Sequence, residues 1–175
     1  MVKRKPIEQL LADAGGIQLD IGCGAHKQPG YVGMDIQALP GVDIVHDFEK
    51  YPWPLPDEAC IRAICSHVVE HVNPVKFGFI KFMNEIWRVL KYDGQLAIST
   101  PYATSKGYFQ DPTHVNPCNE VTWAYFDPLE PNTQGALYAF YRPRPWKLEH
   151  LSWDPNGNIE VLMSKRREDR SYHGS

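Results

Sequence analysis

The sequence predicts an α/β protein built on a doubly wound, mostly parallel β-sheet. The first indication is a short apolar segment, residues 17 to 21, that runs into two glycines one residue apart, Gly22 and Gly24. The second is an acidic residue, Asp35, near the end of the next apolar segment, residues 31 to 36. The third is an amphipathic, helix-like stretch between two later strand-like segments. A strand, a glycine turn, a second strand and an acid are how such a sheet holds a nucleoside.

The glycine turn favours a nucleoside that carries no phosphate groups. Glycine has no Cβ, so the backbone at Gly22 and Gly24 is free to turn sharply and approach a ligand. The acid Asp35 would accept hydrogen bonds from ribose hydroxyls. Dinucleotide sites carry a third glycine, at a helix N-terminus that holds the pyrophosphate. Here positions 25 to 27 read Ala-His-Lys, which argues against NAD.

These residues resemble a known family, the class I methyltransferases that depend on S-adenosylmethionine (SAM), and among them the type 11 enzymes. The segment Leu19-Asp20-Ile21-Gly22-Cys23-Gly24 is similar to the family's first motif. Residues 85 to 94 resemble the helix that leads into the family's fifth strand. The resemblance extends over about residues 17 to 101. It implies SAM as the cofactor and a Rossmann-like, seven-stranded sheet with an antiparallel last strand.

Length and composition bound the class of protein. The chain has 175 residues, which suits one domain over residues 1 to 175. Its formal charge is −3, with 18 Lys and Arg against 21 Asp and Glu, so no global basic field favours nucleic acid. We see no apolar run long enough to span a bilayer and no signal peptide. The four cysteines show no paired spacing, so we expect reduced thiols and a cytoplasmic protein.

The connection between the first two predicted strands is short, since only residues 22 to 30 separate them. A parallel crossover normally takes at least about ten to twelve residues. The helix that usually follows the first motif must therefore be a turn or two, or missing. We expect reduced helices around strands one and two, a departure from the common family pattern. This leaves open how the methionine end of SAM is covered, and His26 or Lys27 would be available for it.

Local patterns predict the remaining elements. Asn73 and Pro74 are typical of a helix N-cap and a first helical position, and Gly94 is typical of a helix end. Asn-Gly at positions 156 and 157 favours a hairpin. The predicted elements are a leading helix at 7–14, strands at 42–45, 61–65 and 95–100, a helix from Asn73 to Asp93-Gly94, a short helix near 119–126 and a hairpin of 146–153 and 158–164.

The resemblance places the cofactor at the tips of strands one to four. After strand three, an acidic and an aromatic residue, Asp47 and Phe48, would border the adenine; a helix cap and a core aromatic are the alternative. In the family, the first residues after strand four line the SAM pocket. The expected cofactor-binding residues are Asp20, Gly22, Cys23, Gly24, Asp35, Ile36, Asp47, Phe48, Ser66 and His67.

Residues His67, Glu70 and His71 spell H-x-x-E-H, the inverted zinc-protease motif. That motif needs a continuous helix, so that both histidines share one face. Here it follows a predicted strand and precedes a new helix start at Asn73. We therefore expect no metal and assign the segment to the SAM pocket.

Candidate catalytic residues lie after strand five, in a loop that reads Asp111-Pro112-Thr113-His114. A histidine is able to accept a proton near neutral pH. We expect His114 to be a general base and Asp111 its orienting partner. A rigid turn whose side chains cap backbone groups is the alternative.

The resemblance implies transfer of the SAM methyl group to an O or N nucleophile of a small-molecule or saccharide acceptor. One alternative is a SAM-binding regulatory or partner protein without catalysis, and another is a methyltransferase acting on RNA or nucleotides. Residues 66 to 69 read Ser-His-Val-Val rather than the Asn/Asp-Pro-Pro-Tyr of amino-methylating DNA enzymes, so we expect no DNA partner. We expect no membrane partner either, and a homodimer is left open.

Overall fold

The structure is a computed structural model that describes residues 4–12, 15–130, 141 and 143–167. It contains a seven-stranded sheet in the order β3-β2-β1-β4-β5-β7-β6. The first five strands are parallel, and β7 is antiparallel to both of its neighbours. This arrangement confirms the predicted fold class. The strands are β1 Ile17–Ile21, β2 Val32–Asp35, β3 Ile44–Val45, β4 Cys60–Ser66, β5 Leu90–Pro101, β6 Trp146–Trp153 and β7 Asn158–Lys165.

The helices of the described residues are short, apart from one. They are α1 Ile7–Leu10, a 3₁₀ turn Val69–His71, α2 Gly78–Val89, α3 Lys106–Phe109 and α4 Glu120–Ala124. None of them is long and apolar enough to cross a membrane. The short helix predicted near 119–126 is confirmed, and Asn119 caps it by accepting from the N–H groups of Val121 and Thr122.

The predicted boundaries of the long helix were wrong at both ends. Asn73 does not start it, because its side chain closes a local turn by accepting from the N–H of Val75 at 3.0 Å. The helix begins at Gly78, where a Cβ would collide with the carbonyl oxygen of Asn73. It ends at Val89, and Gly94, the predicted helix end, lies inside β5. The leading helix also ends early, at Leu10.

Helix α2 fills one face of the sheet with an apolar stripe of buried side chains, Phe82, Met83 and Ile86. Its buried Glu85 accepts from the backbone N–H of Trp53 at 2.6 Å and pairs with Arg88 at 2.7 Å. A buried carboxylate needs such partners. This contact fastens the proline-rich loop that precedes β4 to the helix.

Only one face of the sheet carries a long helix in the described part of the chain. Crossovers between parallel strands are right-handed. The connections from β1 to β2 and β3 therefore lie on the face opposite α2, which connects β4 to β5. Among the described residues, those first connections contain no helix, as the short sequence between them predicted. Along β5 the burial alternates accordingly: Leu96 and Ile98 are buried, whereas Ala97 and Ser99 are half-buried.

Candidate active site

The two glycines of the turn after β1 both adopt left-handed backbone conformations, with φ of 69° at Gly22 and 53° at Gly24. Their surroundings differ. A Cβ at Gly22 would collide with Cγ2 of Val68, so this glycine lets the turn pack against the segment that follows β4. A Cβ at Gly24 would meet nothing within 4 Å. Gly24 therefore borders open space, in which a ligand has room.

Asp20, in β1, holds the chain after the glycine turn by a hydrogen bond to its backbone. Its Oδ2 accepts from the backbone N–H of Gln28 at 2.9 Å, and the residue is 6% exposed. Burial raises the pKa of this carboxyl above its ordinary value, although the bond from Gln28 and the charge of Lys27 act in the opposite direction. Asp20 is thus in the predicted region, but its contacts are with the protein backbone.

The rest of the short connection is fastened across β2. Lys27 Nζ lies 2.6 Å from Oδ2 of Asp43, and the same oxygen accepts from the N–H of Gly33 at 2.9 Å. A Cβ at Gly33 would come within 2.7 Å of both Cys23 Sγ and Lys27 Cδ. The glycine at position 33 therefore lets the loop lie directly on the strand. These contacts hold the connection between β1 and β2, which contains no helix.

Asp35, the predicted ribose acid, stands at the end of β2 beside the glycine turn. Its Oδ2 accepts from the N–H of Gly24 at 2.9 Å, and its Oδ1 accepts from the N–H of Gln37 at 2.9 Å. A carboxylate oxygen accepts two hydrogen bonds, so both oxygens keep acceptor capacity. The next residue, Ile36, is apolar yet 55% exposed. The strand thus ends in an acid and an apolar side chain that both reach solvent.

The other predicted cofactor residues lie at the same edge of the sheet, and their side chains range from buried to exposed. Asp47 Oδ1 accepts from the N–H of Glu49 at 3.1 Å, and the ring of Phe48 packs edge-on against Phe82 with centroids 5.7 Å apart. Their proximity to adenine stays a prediction. Cys23 is buried, and burial raises the pKa of its thiol to about 11. Ser66, the last residue of β4, is exposed.

His67 follows β4 directly and has a left-handed backbone, with φ of 54°. Its Nδ1 lies 3.1 Å from Oε1 of Glu70, whose side chain is 0% exposed. Thr100, at the end of β5, donates its hydroxyl to the other oxygen of Glu70 at 2.9 Å. Sequence reasoning missed this link, because Thr100 comes from another strand and no local signal pairs it with Glu70.

The predicted catalytic loop packs against the 3₁₀ turn, since the carbonyl of Glu70 accepts from the N–H groups of Val115 and Asn116. The side chain of His114 is 7% exposed and its Nδ1 donates to the carbonyl of Tyr108 at 2.8 Å. The orienting hydrogen bond of this imidazole thus comes from a backbone carbonyl.

Asp111 lies on the other side of the His114 ring, with its Oδ2 3.8 Å from Nε2. Its Oδ1 accepts from the hydroxyl and the N–H of Thr113, and these bonds hold the pKa of the carboxyl below its ordinary value. The turn is therefore capped by its own side chains, as the alternative interpretation had it. The base role of His114 stays a prediction.

The H-x-x-E-H segment does not form one helix face. His67 precedes the 3₁₀ turn, and only Glu70 and His71 lie within it. Among the described residues, Glu70, His71 and His114 each offer a ligand atom within 4.8 Å of the others. The inverted zinc-protease geometry, with both histidines of the motif on a continuous helix, is not formed.

Comparisons with known proteins identify the fold. No protein-family model and no curated protein matches the sequence. Among solved structures, a SAM-dependent methyltransferase from Archaeoglobus fulgidus is 18% identical, with 86% of this chain and 87% of that chain covered and a TM-score of 0.56. A SAM-dependent methyltransferase from Methanosarcina mazei is 15% identical, with coverages of 95% and 100% and a TM-score of 0.55.

A third similar structure is the [4+2]-cyclase SpnF, which is 14% identical, with coverages of 93% and 79% and a TM-score of 0.56. This protein is named as a cyclase, so likeness at this level identifies an architecture and does not identify the reaction. The strand order, the antiparallel β7 and these neighbours together show that the chain has the fold of the class I SAM-dependent methyltransferases.

Proposed function

We propose that the protein binds SAM at the carboxyl ends of β1 and β2 and transfers its methyl group to an oxygen or nitrogen of a small-molecule or saccharide acceptor. The observation that carries the proposal is the pairing of the glycine turn with Asp35, joined by the 2.9 Å bond from the Gly24 N–H. Ligands of open α/β sheets bind beyond the carboxyl ends of the strands.

The residues at this edge suit an adenosine. Asp35 retains acceptor capacity for ribose hydroxyls, Ile36 offers an exposed apolar surface to the base, and Gly24 borders open space. Among the described residues, no helix follows the glycine turn, so no helix N-terminus is available for a pyrophosphate. This favours a nucleoside that ends in an uncharged or cationic group over a dinucleotide.

SAM supplies a methyl group already activated by its sulfonium charge, so the tasks left to the protein are positioning, exclusion of water and proton removal. We propose His114 and Asp111 as catalytic residues that hold and orient the acceptor. Asp111 has a side chain that is 42% exposed and faces the loop surface. Its carboxylate is suited to holding a hydroxyl or an amine of the acceptor.

A small polar acceptor agrees with the groups around the exit of β4. Asn158 Nδ2 is 3.3 Å from Ser99 Oγ, which in turn donates to Glu160 at 2.6 Å. Such amide, hydroxyl and carboxylate groups are able to bond sugar hydroxyls. The net charge of −3 does not favour a polyanionic acceptor.

The test measures binding and transfer separately. Calorimetry with SAM and S-adenosylhomocysteine reports cofactor binding, and labelled methyl transfer from SAM into a fractionated host-cell extract reports the acceptor class. We expect saturable binding and label in a low-molecular-mass or saccharide fraction. Label in RNA would point to the nucleic-acid alternative, and no binding of either compound would refute the proposal.

A non-catalytic SAM-binding protein is the second candidate, favoured by the short connection after β1. Binding of S-adenosylhomocysteine with no transfer of label to any fraction would identify it.

A further inference from the structure

One histidine at the carboxyl edge of the sheet has its ring fixed by a fully buried carboxylate. Nδ1 of His67 lies 3.1 Å from Oε1 of Glu70, and Thr100 donates to Oε2 at 2.9 Å. The side chain of Glu70 is 0% exposed. Because each carboxylate oxygen has a partner from a different element, the carboxylate group is held in one orientation.

The surroundings of Glu70 offer few other partners for its charge. Within the described residues, no lysine or arginine forms an ion pair with it, and its ion-pair partner is His67. The nearby thiols of Cys65 and Cys118 are buried, and their pKa values are raised mainly by that burial, to about 12 for Cys118. A buried carboxylate is stable only when it is bonded, so Glu70 depends on the imidazole as much as it orients it.

The ring of His67 consequently turns one defined nitrogen, Nε2, away from Glu70. A carboxylate only accepts hydrogen bonds, so Nδ1 carries the hydrogen that faces Glu70. Nε2 is then the acceptor nitrogen in the neutral ring. It takes a long hydrogen bond, 3.4 Å, from the amide nitrogen of Asn158, and an acceptor O–H or N–H would have to replace this amide at Nε2. The side chain of His67 is 51% exposed. This is the arrangement of a histidine base with an orienting acid.

His67 also stands where the cofactor and the acceptor would meet. It is the first residue after β4, and its neighbour Val68 packs against Gly22 of the glycine turn. Its left-handed backbone, with φ of 54°, is uncommon for a residue with a side chain. Strained residues of this kind concentrate at functional sites. By contrast, the ring of His114 is packed between His71 and Tyr108 and is 7% exposed.

We propose that His67 is the catalytic base that takes the acceptor's proton and that Glu70 is its positioning residue. This rests on the proposed methyl transfer. The proton leaves the acceptor O–H or N–H for Nε2 of His67 while the acceptor lone pair forms its bond to the methyl carbon. The electrons of the broken carbon–sulfur bond stay on sulfur, which becomes a neutral thioether. The imidazolium that results is stabilised by the Glu70 carboxylate and releases its proton to solvent.

The kinetic test compares His67→Gln, Glu70→Gln and His114→Gln in the labelled-methyl assay on the active extract fraction, with SAM saturating for each variant. Glu149→Gln serves as a control, since this carboxylate lies on the edge strand β6 and is bonded to Lys147 and Ser164. We expect a rate loss of about a hundredfold or more for His67→Gln, about tenfold for Glu70→Gln, less for His114→Gln than for His67→Gln, and none for the control. Circular dichroism and thermal unfolding check that each variant is folded.

A second measurement needs no acceptor. In ¹⁵N-edited NMR spectra of histidine-labelled wild-type protein, we expect His67 to be protonated at Nδ1 when neutral, with a strongly downfield Nδ1 proton. Glu70→Gln should move that proton upfield, a change that a purely structural role of Glu70 would not require. A neutral ring protonated at Nε2 would overturn the proposal.

The kinetic outcomes separate the two proposals. If wild-type protein transfers methyl groups and His67→Gln keeps its rate within about threefold, the base assignment is wrong while the proposed function stands. A larger loss in His114→Gln than in His67→Gln would assign the proton to His114 instead. If wild-type protein binds SAM and transfers nothing, the proposed function fails and the catalytic role of His67 fails with it.

Discussion

Replacing Asp35 tests the cofactor site most directly. Its carboxylate would bond the ribose of SAM, and a hydrogen bond to a charged group contributes about 1.5–3 kcal/mol. Since about 1.4 kcal/mol corresponds to a factor of ten in affinity, Asp35→Asn should lower the affinity for SAM about ten- to 150-fold. Asp35→Ala should be at the upper end, because it removes the acceptors of both backbone N–H groups, those of Gly24 and Gln37, whereas Asn keeps an oxygen for one of them.

Calorimetric titration with S-adenosylhomocysteine is the assay, because this compound carries the same adenosine and is not consumed. Glu149→Gln is the matched control: it removes a carboxylate on β6, at the far edge of the sheet from Asp35, where Glu149 is bonded to Lys147 and Ser164. Its dissociation constant should equal that of the wild type. Backbone NMR spectra of Asp35→Asn should show the glycine turn intact.

The reasoning would be refuted by a folded Asp35→Asn variant whose affinity is unchanged. In that case the acid at the end of β2 would serve only to hold the N–H groups of the turn, and the adenosine would have to be held elsewhere. If Asp35→Asn loses both its affinity and the NMR signals of the glycine turn, the spectra would show that the turn itself is disturbed. Asp35→Glu would then test whether a carboxylate at this position restores binding.

Three further predictions concern β1, β2 and the glycine turn between them. Gly33→Ala should lower the free energy of unfolding by about 1–3 kcal/mol, measured by urea denaturation, because the new Cβ would meet Cys23 and Lys27 at 2.7 Å. Asparagine tolerates a left-handed backbone, so Gly24→Asn should keep the melting temperature. Its side chain would fill the open space and should lower the affinity for S-adenosylhomocysteine at least about tenfold. Asp20 has a raised pKa in the folded state, so the folded protein binds its proton more tightly than the unfolded chain. The stability of wild type relative to Asp20→Asn should therefore fall as pH rises from about 4 through the folded pKa; urea denaturation from pH 4 to 8 checks this, and a difference that rises with pH would contradict it.

Much of the sheet could be predicted because its signals are local. The glycine turn after β1 and the Asn-Gly hairpin between β6 and β7 each depend on a few adjacent residues, and both are formed. The start of α2 was missed for a non-local reason. Lys76 and Phe77 adopt left-handed conformations, with φ of 55° and 63°, and the chain passes over the carbonyl of Asn73 before the helix begins. Nothing in the residue types at these positions favours that path over a capped helix.

The acceptor side could be predicted only in outline. The sequence places His67 and His114 at the exits of two neighbouring strands, but it gives no information on which ring is exposed. That depends on Tyr108, whose carbonyl takes the Nδ1 hydrogen of His114, and on Thr100, which completes the bonding of Glu70. The first contact depends on the course of one loop and the second joins two separate elements, so neither follows from a local sequence signal.

The electrostatics of the short loop bear on how the proposed cofactor and its product would differ in affinity. Burial is the main cause of the raised pKa of the Cys23 thiol, and the neighbouring carboxylates of Asp20, Asp35 and Asp43 raise it further, whereas the ammonium of Lys27 lowers it. The loop thus has a negative local field, and it lacks the helix N-terminus whose dipole would oppose that field. A field of this sign attracts the sulfonium of SAM. After methyl transfer the sulfur would be neutral, so this attraction would be lost while the proposed ribose contacts to Asp35 would persist. The field of the short connection would then favour exchange of product for fresh cofactor.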